Sequence, residues 1–165
     1  MIDDNLRLIR NGNLEQDGWL IHESEEHPND ENFWIVKLET FRNNAEQFRL
    51  RNFPVAILVA SDTDLVDSFF EFESDGQLEK IAFIAIEFPT YTDGRGFSLA
   101  QIIRNQFGWT GELRAVGDVL IDTIHYLARC GFDSFLVKEG HDAKLALSAL
   151  ETFTVHYQKS YPKPI

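Results

Sequence analysis

The densest group of residues suited to chemistry is Tyr91-Thr92-Asp93-Gly94-Arg95-Gly96-Phe97-Ser98. It follows an apolar run of strand length, Ile81 to Ile86, and precedes Leu99, Ile102, Ile103 and Phe107, which share one helix face. A loop that feeds a helix start offers free backbone N–H groups and the positive end of the helix dipole to an anion. Arg95 adds a forked donor that matches an oxyanion. The two glycines beside it permit positive φ and close backbone approach. Thr92, Gly94, Arg95, Gly96 and Ser98 are therefore candidate ligands for phosphate, sulfite or a carboxylate, with Arg114 assisting. The competing reading is a tight turn that an Asp93–Arg95 contact holds closed. Neither the phosphate-loop spacing with its glycine-lysine pair nor the dinucleotide-binding glycine pattern follows any strand.

Acid–base candidates are fewer. Asp93, Asp118 and His141 each fall just beyond an apolar run. His141 is the one histidine among His22, His27, His125, His141 and His156 placed where a proton-transfer group is useful. None of the five has compact metal-binding spacing, so no metal site is expected. Glu87 and Arg114 sit inside apolar strands, where charge is costly unless paired. They are expected to pair with each other or with Asp93 and Asp118. Cys130 ends a helix just before Gly131, where the negative end of the dipole disfavours a thiolate. A packing role suits it better than a nucleophilic one. Ser98 reads as a helix cap rather than a nucleophile, because no strained nucleophile elbow surrounds it.

The elements that position these residues follow from the pattern of apolar runs. Val55–Val59, Ile81–Ile86, Glu112–Val116 and Phe135–Val137 read as strands. Between and after them come helical spacings: Leu65, Val66, Phe69 and Phe70 behind Asp62 and Asp64; Leu99 onward behind a Ser98–Gln101 capping box; Leu120, Ile124 and Leu127 behind Asp118; and Leu145, Ala149 and Leu150 behind Asp142. Four βα units imply an α/β fold with a parallel sheet, either open and doubly wound or half-barrel-like. Both forms put the working edge at the strand carboxyl ends. Ahead of them, residues 1–32 read as an N-terminal hairpin-like appendage. Leu6–Arg10 is one strand, Asn11-Gly12-Asn13 the turn, and Trp19-Leu20-Ile21 the return, followed by an acidic loop from Glu23 to Asn32. Residues 33–165 form the single α/β domain, beginning with a helix through Leu38, Phe41, Ala45 and Phe48. The tail with Pro162 and Pro164 is expected to be irregular.

Composition bounds the partners. The 165 residues suit one domain, and the formal net charge of -12 repels nucleic acid and anionic membranes. A basic protein surface is the better complement. One cysteine permits no internal disulfide, no paired-cysteine redox motif and no all-cysteine cluster. The acidic N-terminus lacks the apolar run of a signal peptide, and no stretch is long enough to span a bilayer. These features point to a cytoplasmic protein. No nicotinamide, flavin, haem or iron–sulfur motif is visible, so no cofactor is expected, and no self-contained catalytic constellation decides whether the chain is an enzyme.

Three blocks carry a resemblance. Phe88 to Ser98, Gly111 to Val119 and Arg129 to Asp133 are similar, in order and spacing, to the domain-of-unknown-function-934 (DUF934) family of bacterial proteins. The likeness is close over residues 54–138 and loose before them. Phe97 stands where many members are expected to have tyrosine, which removes a hydroxyl. The resemblance implies a role in assimilatory sulfite reduction, since the family is described as oxidoreductases of that step, encoded beside sulfite reductase. It carries over no catalytic residue. With no redox motif visible, the resemblance implies an accessory protein for sulfite reductase or its electron donor. The alternative is a stand-alone enzyme acting on a small phosphorylated or carboxylated substrate.

Overall fold

The computed structural model describes residues 5–65 and 77–152. Eight strands form one sheet: β1 (Leu8–Arg10), β2 (Asn13–Glu15), β3 (Leu20–His22), β4 (Trp34–Lys37), β5 (Val55–Val59), β6 (Ile81–Phe88), β7 (Glu112–Gly117) and β8 (Ser134–Leu136). The described helices are α1 (Leu38–Asn43), α2 (Ala45–Leu50), α3 (Arg95–Asn105), α4 (Ile121–Arg129) and α5 (Ala143–Thr152), with a 3-10 turn at Gln77–Lys80. The expected helix behind Asp62 and Asp64 and the expected irregular tail lie outside the described residues.

Strand order across the sheet is β2-β1-β8-β7-β6-β5-β4-β3. From β3 to β8 every neighbour is parallel and consecutive in the chain. Each crossover therefore advances one strand in the same direction, and right-handed connections then put the described helices on the same face. Packing agrees. Leu38 and Phe41 of α1, Phe48 of α2, Leu99 and Ile103 of α3, Ile124 and Leu127 of α4 and Ala146 of α5 all join one core with the outward side chains of the sheet. A second, smaller core of Ile35, Ala56, Leu58, Phe83, Ala85 and Val116 lies on the opposite face and contains no helical residue. An extra residue in β6, between the pairs Val55–Ile81 and Ile57–Ile84, turns Phe83 to that face. No reversal of strand order exists, so the sheet is half-barrel-like rather than doubly wound.

Chain length shows how strongly the sheet curls. Seven spacings of about 4.8 Å would hold the edges of a flat eight-stranded sheet roughly 34 Å apart. Glu15 ends β2 at one edge and Leu20 begins β3 at the other. Five residue steps reach at most about 18 Å. The sheet must bend until this short connector spans the opening. The connector crosses the concave face: Trp19 packs edge-on against Phe83, with ring centroids 4.9 Å apart, and Asp17 accepts a hydrogen bond from Arg114.

Four local expectations change. The hairpin is Leu8–Glu15, closed through Asn11 and Gly12, both at positive φ as a two-residue turn of this hand requires. Its return strand is Asn13–Glu15, while Leu20–His22 pairs in parallel with β4 on the far edge. Residues 8–22 thus belong to the same sheet as the rest. The helix expected from Phe33 is preceded by β4, which passes directly into α1. Helix α3 begins at Arg95, so Ser98 lies inside it, and Gln101 donates to the Cys130 carbonyl instead of closing a capping box. Helix α4 begins at Ile121, and Thr123 rather than Asp118 satisfies its first turn by bonding both the N–H and the C=O of Leu120. Asp142 does cap α5, accepting from the N–H groups of Lys144 and Leu145.

Candidate functional site

The carboxyl ends of β5 to β8 bring two polar clusters to the rim. The first centres on Asp93. Its Oδ1 accepts from the Arg95 N–H at 3.1 Å and from Nε at 3.0 Å. Its Oδ2 accepts from Arg95 Nη2 at 2.8 Å and from Ser61 Oγ at 2.9 Å. The two-pronged Arg95 guanidinium, then the Arg95 N–H and the Ser61 hydroxyl, hold the Asp93 carboxyl well below the ordinary aspartate range. The same pairing raises Arg95. The loop is thus the tight turn closed by an Asp93–Arg95 contact, and the guanidinium reaches solvent with its fork engaged.

The glycines of this loop differ from expectation. Gly94 has φ -74 and open space where a Cβ would project. Gly96 is buried in the first turn of α3, where a Cβ would meet the Phe88 ring at 2.5 Å. Neither has positive φ. Gly96 lets the helix lie against the strand. Phe97 then sets its ring across Phe88 at 5.4 Å. Thr92, Gly94, Arg95 and Ser98 are exposed together, and the Thr92 hydroxyl bonds that of Thr90.

The second cluster centres on Asp118. Gly117 precedes it at φ +90, and a Cβ there would sit 2.4 Å from the Phe88 carbonyl oxygen. Only glycine fits this approach, which lets the Asp118 N–H bond that oxygen at 2.8 Å. Asp118 Oδ2 accepts from the Tyr91 N–H at 2.7 Å, and Oδ1 pairs with Lys138 Nζ at 2.7 Å. One carboxylate so joins the loops after β6, β7 and β8. Lys138 foremost, then the Tyr91 N–H and the charge on His141, hold Asp118 below its ordinary value. His141 is half-buried, and its N–H closes a turn onto the Lys138 carbonyl.

Sequence reasoning placed Asp93, Arg95, Asp118 and His141 at one rim, and they lie there. It missed Ser61 and Lys138, although each stands just past a strand, the signal that marked the others. Glu87 and Arg114 are not brought together. Glu87 is exposed, whereas Arg114 is fully buried on the concave face near the amino end of β7. There it bonds Glu112 Oε1 at 2.9 Å and Asp17 Oδ1 at 3.2 Å, lies over the Phe83 ring, and reaches Ser134 Oγ. Arg10 joins from β1, pairing with Glu15 and with Glu112. Arg114 is thus separated from the Arg95 loop and belongs to a buried ion network.

Cys130 is half-buried at the end of α4, and burial raises its thiol pKa against the opposing charge of Arg129. Among the described residues, no group of three or more His, Cys, Asp or Glu side chains is arranged to hold a metal ion, and no helix is long and apolar enough to cross a membrane. No curated protein matches the chain. Residues 59–165, more than half of the chain and the whole described carboxyl rim apart from its first strand, match the family model described as bacterial protein of unknown function (DUF934), and the chain belongs to that family.

Proposed function

We propose that the protein is an accessory factor of assimilatory sulfite reduction, docking on sulfite reductase or its electron donor rather than carrying out a redox step alone. The pathway is supported by the resemblance of the three blocks around Arg95, Asp118 and Cys130. The accessory role is supported by one observation above others: two cations of the rim, Arg95 and Lys138, are already engaged. Arg95 is gripped by Asp93 and Lys138 by Asp118. Such pairing stiffens a surface for recognition and leaves less free positive charge to capture a small anion. The net charge of -12 favours a basic partner.

The test is growth of a deletion strain on sulfate, sulfite, sulfide or cysteine as sole sulfur source. Rescue by sulfide and cysteine but not by sulfate or sulfite supports the reading. Equal growth on all four removes it. Co-purification with the partner is expected to weaken with salt, as exposed charge pairs are screened.

A second reading is a stand-alone enzyme on a small phosphorylated or carboxylated substrate. It is favoured by the solvent-facing side of the Arg95 guanidinium at the start of an 11-residue helix, with Thr92, Gly94 and Ser98 beside it. Phosphate binding that Arg95→Ala abolishes without unfolding the protein would establish that reading in place of the first.

A further inference from the structure

The two edges of the sheet are treated differently. Helix α5 packs against β1 and β2 at one end of the sheet. Strand β3 is the other edge, and among the described residues nothing pairs with its outer side. Leu20 and Ile21 are 50% and 52% exposed there. Phe33 and Phe53 are also exposed, and Phe33 makes ring contacts with both Trp19 and Phe53. An uncovered strand edge with apolar side chains is a template for another strand, which soluble proteins ordinarily blunt with lysine, proline or a covering element. At three residues this edge is short, but among the described residues it carries no lysine, no proline and no covering element.

Hydrogen-bond direction shows what the edge offers. The Leu20 N–H donates to the Phe33 carbonyl, toward β4. Alternate residues of a strand face opposite sides, so the Ile21 N–H and C=O point outward. Charge then narrows the occupant. From Gln16 to Phe33 the chain carries Asp17, Glu23, Glu25, Glu26, Asp30 and Glu31 and no lysine or arginine. Glu23, Glu25, Glu26 and Glu31 are exposed on the connection that leaves β3 and returns beside Phe33. A second copy pairing through β3 would bring two such acidic connections together. A basic strand meets no such opposition.

We propose that the free edge of β3 receives an extended segment of a partner protein, with apolar side chains on the face of Ile21 and Phe33 and with lysine or arginine that meet the acidic connection. Backbone pairing at Ile21 supplies the grip, and the alternating side chains supply selectivity. This names the surface for the docking proposed above and rests on that reading.

The probe is a synthetic heptapeptide of alternating lysine and valine, titrated into the full-length protein at low salt. Saturable binding is expected, with slowed hydrogen exchange at the Ile21 amide and no binding by the glutamate–valine counterpart. Ile21→Pro removes only an outward donor, and Ile21→Lys adds repulsion. Each is expected to weaken binding about tenfold or more with the unfolding midpoint kept. Undiminished binding to a folded Ile21→Lys protein overturns the proposal, as does failure of the lysine peptide to bind. A wild-type dimer that Ile21→Lys dissociates would assign the edge to a second copy instead. In the deletion strain, wild-type rescue on sulfate that Ile21→Lys matches defeats the β3 edge alone. A sulfur phenotype absent from the deletion strain defeats the accessory reading.

Discussion

Asp17 Oδ1 lies 3.2 Å from Arg114 Nη1, joining residues 97 positions apart across the concave face of the sheet. Arg114 is fully buried and also bonds Glu112, so Asp17 provides the charge that fastens the connector to β7. Removing one partner leaves the other with an uncompensated demand, which costs more than the pair itself contributes. Asp17→Ala is expected to lower unfolding free energy by about 2 kcal/mol. Urea denaturation followed by circular dichroism measures it. An unchanged midpoint would mean that Trp19 and Phe83 hold the connector without the ion pair.

Two glycines of the carboxyl rim make a matched test. At Gly117 both the positive φ and the 2.4 Å approach to the Phe88 carbonyl oppose a side chain. Gly117→Ala is expected to destabilise by about 2 kcal/mol or more, because strain and steric contact act together. At Gly94, φ is -74 and the surrounding space is open. Gly94→Ala is expected to change stability by no more than about 0.5 kcal/mol, and in the favourable direction, since the alanine loses less freedom on folding. Thermal unfolding of both proteins decides the matter.

The Asp93 carboxyl has a depressed pKa in the folded protein, so its contribution is fully present above the ordinary aspartate value of 3.8. It is lost as pH falls below that value toward the folded-state one, because the unfolded chain then binds more protons. Asp118 and Asp30 are shifted in the same direction and add to the trend. Stability is expected to fall between about pH 4 and pH 2, and Asp93→Asn is expected to flatten part of that fall. Unfolding midpoints of wild type and variant across this interval provide the check. Parallel curves would show that Asp93 is not ion-paired in solution.

The central strands were legible because Val55–Val59 and Ile81–Ile86 are uninterrupted apolar runs, as burial on both faces demands. Strand β4 was not, because Trp34–Lys37 is short and enters α1 without a turn residue. Asn11-Gly12 marked its turn correctly, but no local signal says that Leu20–His22 crosses to the far edge, since that depends on the curl of the whole sheet. The rim residues were legible from their position after strands. Arg114 was legible as a buried charge, yet its partner Asp17 lies in a segment with no sequence mark of its destination. Asp118 looked like a helix cap because aspartate before an apolar run usually is one. Its acceptance of the Tyr91 N–H and of Lys138 is a contact between loops that spacing alone does not encode.

The pairing of β1 with β8 sets an order on biosynthesis. Ile9 sits opposite Phe135, so the Leu8–Glu15 hairpin has no sheet partner until nearly all of the described chain has followed. The strands from β3 to β8 add one by one to the neighbour just made, each with a short wait. The connector has its own partners earlier, since Phe83 lies on β6 and Arg114 on β7, but the hairpin itself waits for β8. Closing that long loop is the slow, non-local step. It acts as a test of completion, because a nascent chain halted before β8 has nothing for the hairpin to dock on.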